Sequence, residues 1–134
     1  MAINKSDLIV FLDFDGVINF SNNSKDMYGD IFDDTAMSLL YSISDKYVIS
    51  SSWKCLGINY IKRMWNYRNY SGDILGITDD LIFEDRNAEI NKYIKDNNIE
   101  NYIVLDDIVL TVDNFIHCPK GLNLDVIRKI KSHY

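Results

Sequence analysis

Apolar residues along the chain fall into short continuous runs and longer stretches of helical spacing, and the two alternate. Leu8-Ile9-Val10-Phe11-Leu12 is a continuous apolar run, the pattern of a strand buried on both faces. The polar stretch from Asn19 to Asp30 predicts a loop or small flap. Asp33-Asp34-Thr35 can cap a helix with Met37, Leu40, Tyr41 and Ile43 as its apolar positions. Lys46-Tyr47-Val48-Ile49 reads as a second strand, running into Ser50-Ser51-Ser52. Ile58, Ile61, Met64 and Trp65 recur at helical spacing, whereas Ile74 to Ile77 fits either a short strand or a turn. Ala88, Ile90, Tyr93 and Ile94 predict another helix, closed near Asn97-Asn98. Tyr102-Ile103-Val104-Leu105 is a third strand and Asn114-Phe115-Ile116-His117 a weaker fourth. A last helix, from near Asn123, carries Leu124, Ile127 and Ile130 on one face. Such an alternation predicts an α/β, three-layer architecture: a parallel sheet with helices on both faces.

Composition narrows this picture. A chain of 134 residues has room for one domain and one core. Its 47% apolar and 13% aromatic content is that of a globular rather than a disordered chain. No apolar run approaches the ~18 residues that span a bilayer, so no membrane is expected. The polar start, Met1 to Asp7, matches no signal or transit peptide. Cys55 and Cys118 match no Cys-x-x-Cys pattern and read as reduced thiols of a cytoplasmic protein, with one disulfide between them as the alternative. The single proline, Pro119, and six scattered glycines mark no domain boundary. Net charge of −6 argues against a surface that grips nucleic acid all over, though a local basic patch remains compatible with it.

The placement of the aspartates says more than their total. In parallel α/β sheets, ligands bind outside the carboxyl ends of the strands. The first strand delivers Asp13-Phe14-Asp15-Gly16 there, the second Ser50-Ser51-Ser52-Trp53-Lys54, and the third Asp106-Asp107. Asp33-Asp34 and Asp79-Asp80 follow no buried run and read as caps or turn residues. Gathering carboxylates is costly: two unit charges about 4 Å apart repel by roughly 4 kcal/mol at an effective dielectric near 20. The cluster therefore calls for a cation, and an all-oxygen set points to Mg2+ over zinc. His117 and His133 are isolated and form no rival metal site. No Gly-x-x-x-x-Gly-Lys-Ser/Thr loop supports a P-loop kinase.

These residues resemble the motifs of the haloacid dehalogenase (HAD) superfamily. Asp13-Phe14-Asp15-Gly16-Val17 is similar to its first motif, an Asp-x-Asp after a hydrophobic strand. Ser51 is similar to the Ser or Thr that closes the next strand, and Asp106-Asp107 to the acidic fourth motif. Arg86 best matches the third-motif cation, with Lys92 and Lys95 as runners-up. Ser51-Ser52-Trp53-Lys54, Gly76-Ile77-Thr78-x-x-Leu81, Arg86-x-x-Glu89-Ile90 and Gly121-Leu122 resemble the small HAD proteins grouped with Swiss-army-knife RNA-repair proteins. Lys54 stands where that group more often has arginine, a point charge in place of a bidentate fork.

The resemblance implies a HAD-like, Rossmann-like sheet without a full cap domain, and a phosphohydrolase activity. In this reading Asp13 is the nucleophile and Asp15 the acid and base. Gly16, Ser51, Ser52 and Lys54 contact the phosphate, and Arg86 offsets charge. Asp13, the Asp15 carbonyl and Asp106 hold Mg2+, with Asp107 as a further ligand or their partner. The expected substrate is a large phosphoester, a phosphorylated nucleic-acid end among them, acted on by a monomer or weak homo-oligomer. A small-metabolite phosphatase or phosphotransferase, and a non-catalytic HAD-shaped binding module, remain as alternatives.

Overall fold

The computed structural model describes residues 7–21 and 24–133. Met1 to Ser6 of the polar start, and Asn22 and Asn23 of the expected flap, lie outside the described residues. In chain order come β1 (Ile9–Leu12), β2 (Lys25–Asp26), β3 (Gly29–Asp30), α1 (Asp34–Tyr41) and β4 (Lys46–Ile49). A short 3₁₀ turn, Ser52–Leu56, leads into α2 (Ile58–Tyr67), β5 (Asp73–Ile77) and α3 (Arg86–Asp96). The chain continues through β6 (Tyr102–Asp106), β7 (Phe115–His117) and α4 (Leu124–His133). Five strands form one parallel sheet in the order β5-β4-β1-β6-β7, and β2 and β3 form a separate antiparallel hairpin.

The apolar runs form strands because both of their faces are buried, and successive side chains serve opposite layers. Val10, Leu12, Tyr47, Ile49, Ile103 and Leu105 join the larger core, which also takes the buried residues of α1, α2 and α4. Phe11, Val48 and Val104 point the other way, into a smaller core closed by Ile90, Tyr93 and Ile94 of α3. Helices thus cover both faces, three on one and one on the other.

The ambiguous Ile74 to Ile77 segment is an edge strand, with Ile74 and Gly76 buried and Asp73 and Leu75 exposed. Tyr93 lies so close to Gly76 that a Cβ there would sit 2.4 Å from its hydroxyl oxygen. Asp79-Asp80 therefore does follow a strand, one with a short apolar run and a central glycine. Leu124 is a second correction: it is exposed, and the buried stripe of α4 is Val126, Ile127 and Ile130. At the helical period Leu124 points about a third of a turn away from that stripe. The expected flap contains the β2–β3 hairpin, tied down by Arg68 at the end of α2. Arg68 forms a bidentate pair with Asp26 at 2.8 and 2.9 Å and donates to the Gly29 carbonyl at 3.1 Å. Both cysteines are free thiols, Cys55 exposed and Cys118 buried.

Candidate active site

Register alone brings the key residues level. Leu12 pairs with Ile49 on one side and Leu105 on the other, so Asp13, Ser50 and Asp106 come next together at the carboxyl edge. The chain then turns sharply, the N–H groups of Val17, Ile18 and Asn19 all donating to the Phe14 carbonyl. Phe14 anchors this turn in the core, its ring packed on Phe32, Trp53 and Trp65. Gly16 has φ +82°, and a Cβ there would fall 2.1 Å from Asp107 Oδ2. Only glycine lets the first-strand turn and the Asp107 carboxylate share this space.

One carboxylate oxygen from each of Asp13, Asp106 and Asp107 lies within 4.8 Å of the others. Asp13 and Asp106 are buried. Asp85 caps α3 by accepting from the Ala88 N–H, which places Arg86 at the start of the helix. Arg86 Nη1 is 2.7 Å from Asp106 Oδ2 and 3.6 Å from Asp13 Oδ1. The other Asp106 oxygen accepts from the Ile108 N–H at 3.1 Å. Burial, then the Asp106 charge, pushes Asp13 up to about 8 against the pull of Arg86. Burial likewise raises Asp106, again against Arg86. One guanidinium facing three carboxylates leaves the cluster short of positive charge. An all-oxygen donor set of this kind fits a hard divalent cation.

Asp15 is exposed but held. Trp53 Nε1 donates to its two oxygens at 3.1 and 3.2 Å, and Asn19 Nδ2 to one of them at 2.7 Å. Asn19 and Ser21 also donate to Asp30 of the hairpin, so the Asp15 carboxylate is linked to the flap. Sequence reasoning missed Trp53 and Asn19 as partners of Asp15. Asn19, four residues on in a tight turn, was within reach as a signal; Trp53, 38 residues away, was not.

The three serines differ. Ser51 is buried and its Oγ accepts from the Trp53 N–H at 3.3 Å, leaving the hydroxyl proton free to donate elsewhere. Ser50 Oγ is buried without a hydrogen-bond partner, and Ser52 is exposed. Lys54, expected at the phosphate, is turned into the protein. Its Nζ donates to Thr78 Oγ1 and the Asp79 carbonyl at 3.2 Å and to Glu89 Oε1 at 2.6 Å. An ammonium has three N–H bonds, so none is left over for a substrate in this arrangement. Glu89 in turn accepts from the Leu81 N–H, fixing the loop between β5 and α3. Lys92, a rival for the third-motif cation, pairs on the surface with Asp79 and Asp96. His117 meets the Asp107 backbone carbonyl at 3.0 Å and packs its ring near Phe115.

Residues 9–126 match the family model for the HAD domain in Swiss Army Knife RNA repair proteins. No curated protein and no solved structure matches the chain. HAD domains typically use a divalent metal, and the buried acidic triad is in keeping with that. With the parallel sheet, the strand-end carboxylates and a match over most of its length, the chain belongs to the HAD family, and its kinship is phosphohydrolase-type.

Proposed function

We propose that the protein is a Mg2+-dependent phosphohydrolase acting through an aspartyl-phosphate on Asp13. The observation that carries this is the cluster of Asp13, Asp106 and Asp107 within 4.8 Å, with Arg86 bridging the first two. Three carboxylates so close are costly unless a divalent ion joins them. Asp13, Asp106 and Asp107 would hold Mg2+, which supplies charge neutralisation and orientation of the phosphoryl oxygens.

Asp13 attacks phosphorus and the ester oxygen departs; water then attacks the acyl phosphate, releasing inorganic phosphate and restoring Asp13. Arg86, already oriented by Asp106, offsets the charge that builds on the phosphoryl oxygens. Ser51 donates its free hydroxyl proton to the phosphate. Asp15, held by Trp53 and Asn19, protonates the leaving oxygen and afterwards takes the proton of the attacking water. Among the described residues between the first motif and α1, the short hairpin is the one regular element, which leaves the site open to a large phosphoester such as a phosphorylated nucleic-acid end.

The test is hydrolysis of phenyl phosphate with Mg2+ and with excess chelator. Turnover that vanishes in chelator and returns with Mg2+ is expected. Full activity in chelator would remove the metal from the mechanism, and no activity in either would favour a binding module.

A further inference from the structure

Asp15 has a second neighbourhood that the phosphate chemistry does not use. It lines one end of a cleft of about 490 Å³ between the β2–β3 hairpin and the 3₁₀ turn, a volume in the range of small-molecule sites. Beyond Asp15 the lining includes the aromatic Trp53 and Tyr28 and the aliphatic Leu56, together with the polar Lys25, Asp30 and Ser52. We propose that this cleft receives the leaving group of the phosphoester, and that it selects an apolar, ring-bearing one. The inference rests on the phosphohydrolase reading given above.

An acid that protonates a departing oxygen must face it, and Asp15 cannot swing elsewhere because Trp53 and Asn19 hold both its oxygens. The leaving group therefore extends from Asp15 into the cleft. Several polar groups of the cleft are already engaged within the protein. Asp30 already accepts from Asn19 and Ser21, and the Tyr28 N–H is taken by Asp26. Leu56, by contrast, is 48% exposed and gains cover only when something apolar lies on it. The hairpin side of the cleft is tied down, since Arg68 grips both Asp26 and Gly29. A preformed slot with aromatic walls favours a flat group at low ordering cost.

The experiment compares kcat/KM for 2-naphthyl, phenyl and glycerol phosphates with Mg2+, in the native protein and in Leu56→Asp, Leu56→Ser and Tyr28→Ala. Naphthol and phenol have closely matched acidity, so their comparison reads the cleft rather than the chemistry. The native protein is expected to favour naphthyl over phenyl about tenfold, chiefly in KM. That preference should fall below about threefold in each variant. Phosphotyrosine and nucleoside 3′- and 5′-monophosphates form further arms, separating a ring esterified directly from one carried on a sugar. A native preference for glycerol phosphate, or a naphthyl preference that survives all three variants, overturns the inference while leaving the hydrolase intact. No turnover of any ester overturns both.

Discussion

At the residue scale, Asp13 and Asp15 share a strand end but sit in opposite surroundings. Asp13 is buried among like charges, whereas Asp15 is exposed and receives hydrogen bonds from Trp53 and Asn19. Asp13→Asn is expected to abolish turnover and any phosphoenzyme, an amide being a poor nucleophile. Asp15→Asn should slow turnover about 10²–10⁴-fold, the scale of general acid–base catalysis. It should nonetheless trap phosphate on Asp13 from acetyl phosphate, whose leaving group needs little protonation; mass spectrometry of the quenched protein reads the adduct. Trp53→Phe keeps an aromatic ring against Phe14 and Phe32 but loses the indole N–H together with the five-membered part of the ring. It should therefore cost about tenfold with phenyl phosphate, a part of the acid–base contribution, and much less with acetyl phosphate. Equal losses on both substrates would mean that Trp53 supports the fold of the site rather than Asp15.

Individual elements were legible in the sequence to the degree that their burial is two-sided. Ile9–Leu12, Lys46–Ile49 and Tyr102–Asp106 are apolar runs because the sheet centre has helices on both faces, and each run points straight at Asp13, Ser50 or Asp106. The edge strand Asp73–Ile77 was ambiguous because its apolar run is short and contains Gly76, and the 3₁₀ turn Ser52–Leu56 left no periodicity to read. That turn decides the fate of Lys54, which sequence proximity to Ser51 suggested for the phosphate. Its Nζ is instead 2.6 Å from Glu89 of α3, both side chains 9% exposed. Removing one partner strands a buried charge, whereas removing both does not. Lys54→Ala should thus cost about 3 kcal/mol of stability, and Lys54→Met combined with Glu89→Gln distinctly less. Urea unfolding midpoints measure both. A double variant as unstable as the single one would show that the pair, rather than the unpaired charge, carries the energy.

For the whole molecule, the carboxylate cluster couples folding to pH and to metal. The alternation of strands and helices foretold where the aspartates converge, but not that Asp13 and Asp106 are buried, with Arg86 of α3 beside both and the Ile108 N–H of the loop after β6 on Asp106. Burial and the neighbouring charge raise Asp13 from 3.8 to about 8 in the absence of metal, and burial raises Asp106 in the same direction. A carboxyl whose folded pKa lies above its unfolded one binds more protons in the native state. Stability is then full below the unfolded value and falls as pH rises toward the folded one. In chelator the protein should therefore lose stability between about pH 4 and pH 8 from this cluster. A divalent cation binds the ionised carboxylates and opposes that loss, so its effect grows with pH. Other carboxylates act in the opposite direction, Asp26 being lowered by its bond to Arg68. The informative quantity is accordingly the shift in Tm caused by Mg2+ at each pH, in which such contributions cancel. It should be small at pH 5 and larger at pH 8, and Asp13→Asn should flatten the trend. A Mg2+ shift that is equal at both pH values, or unchanged in Asp13→Asn, would place the metal away from the strand-end carboxylates.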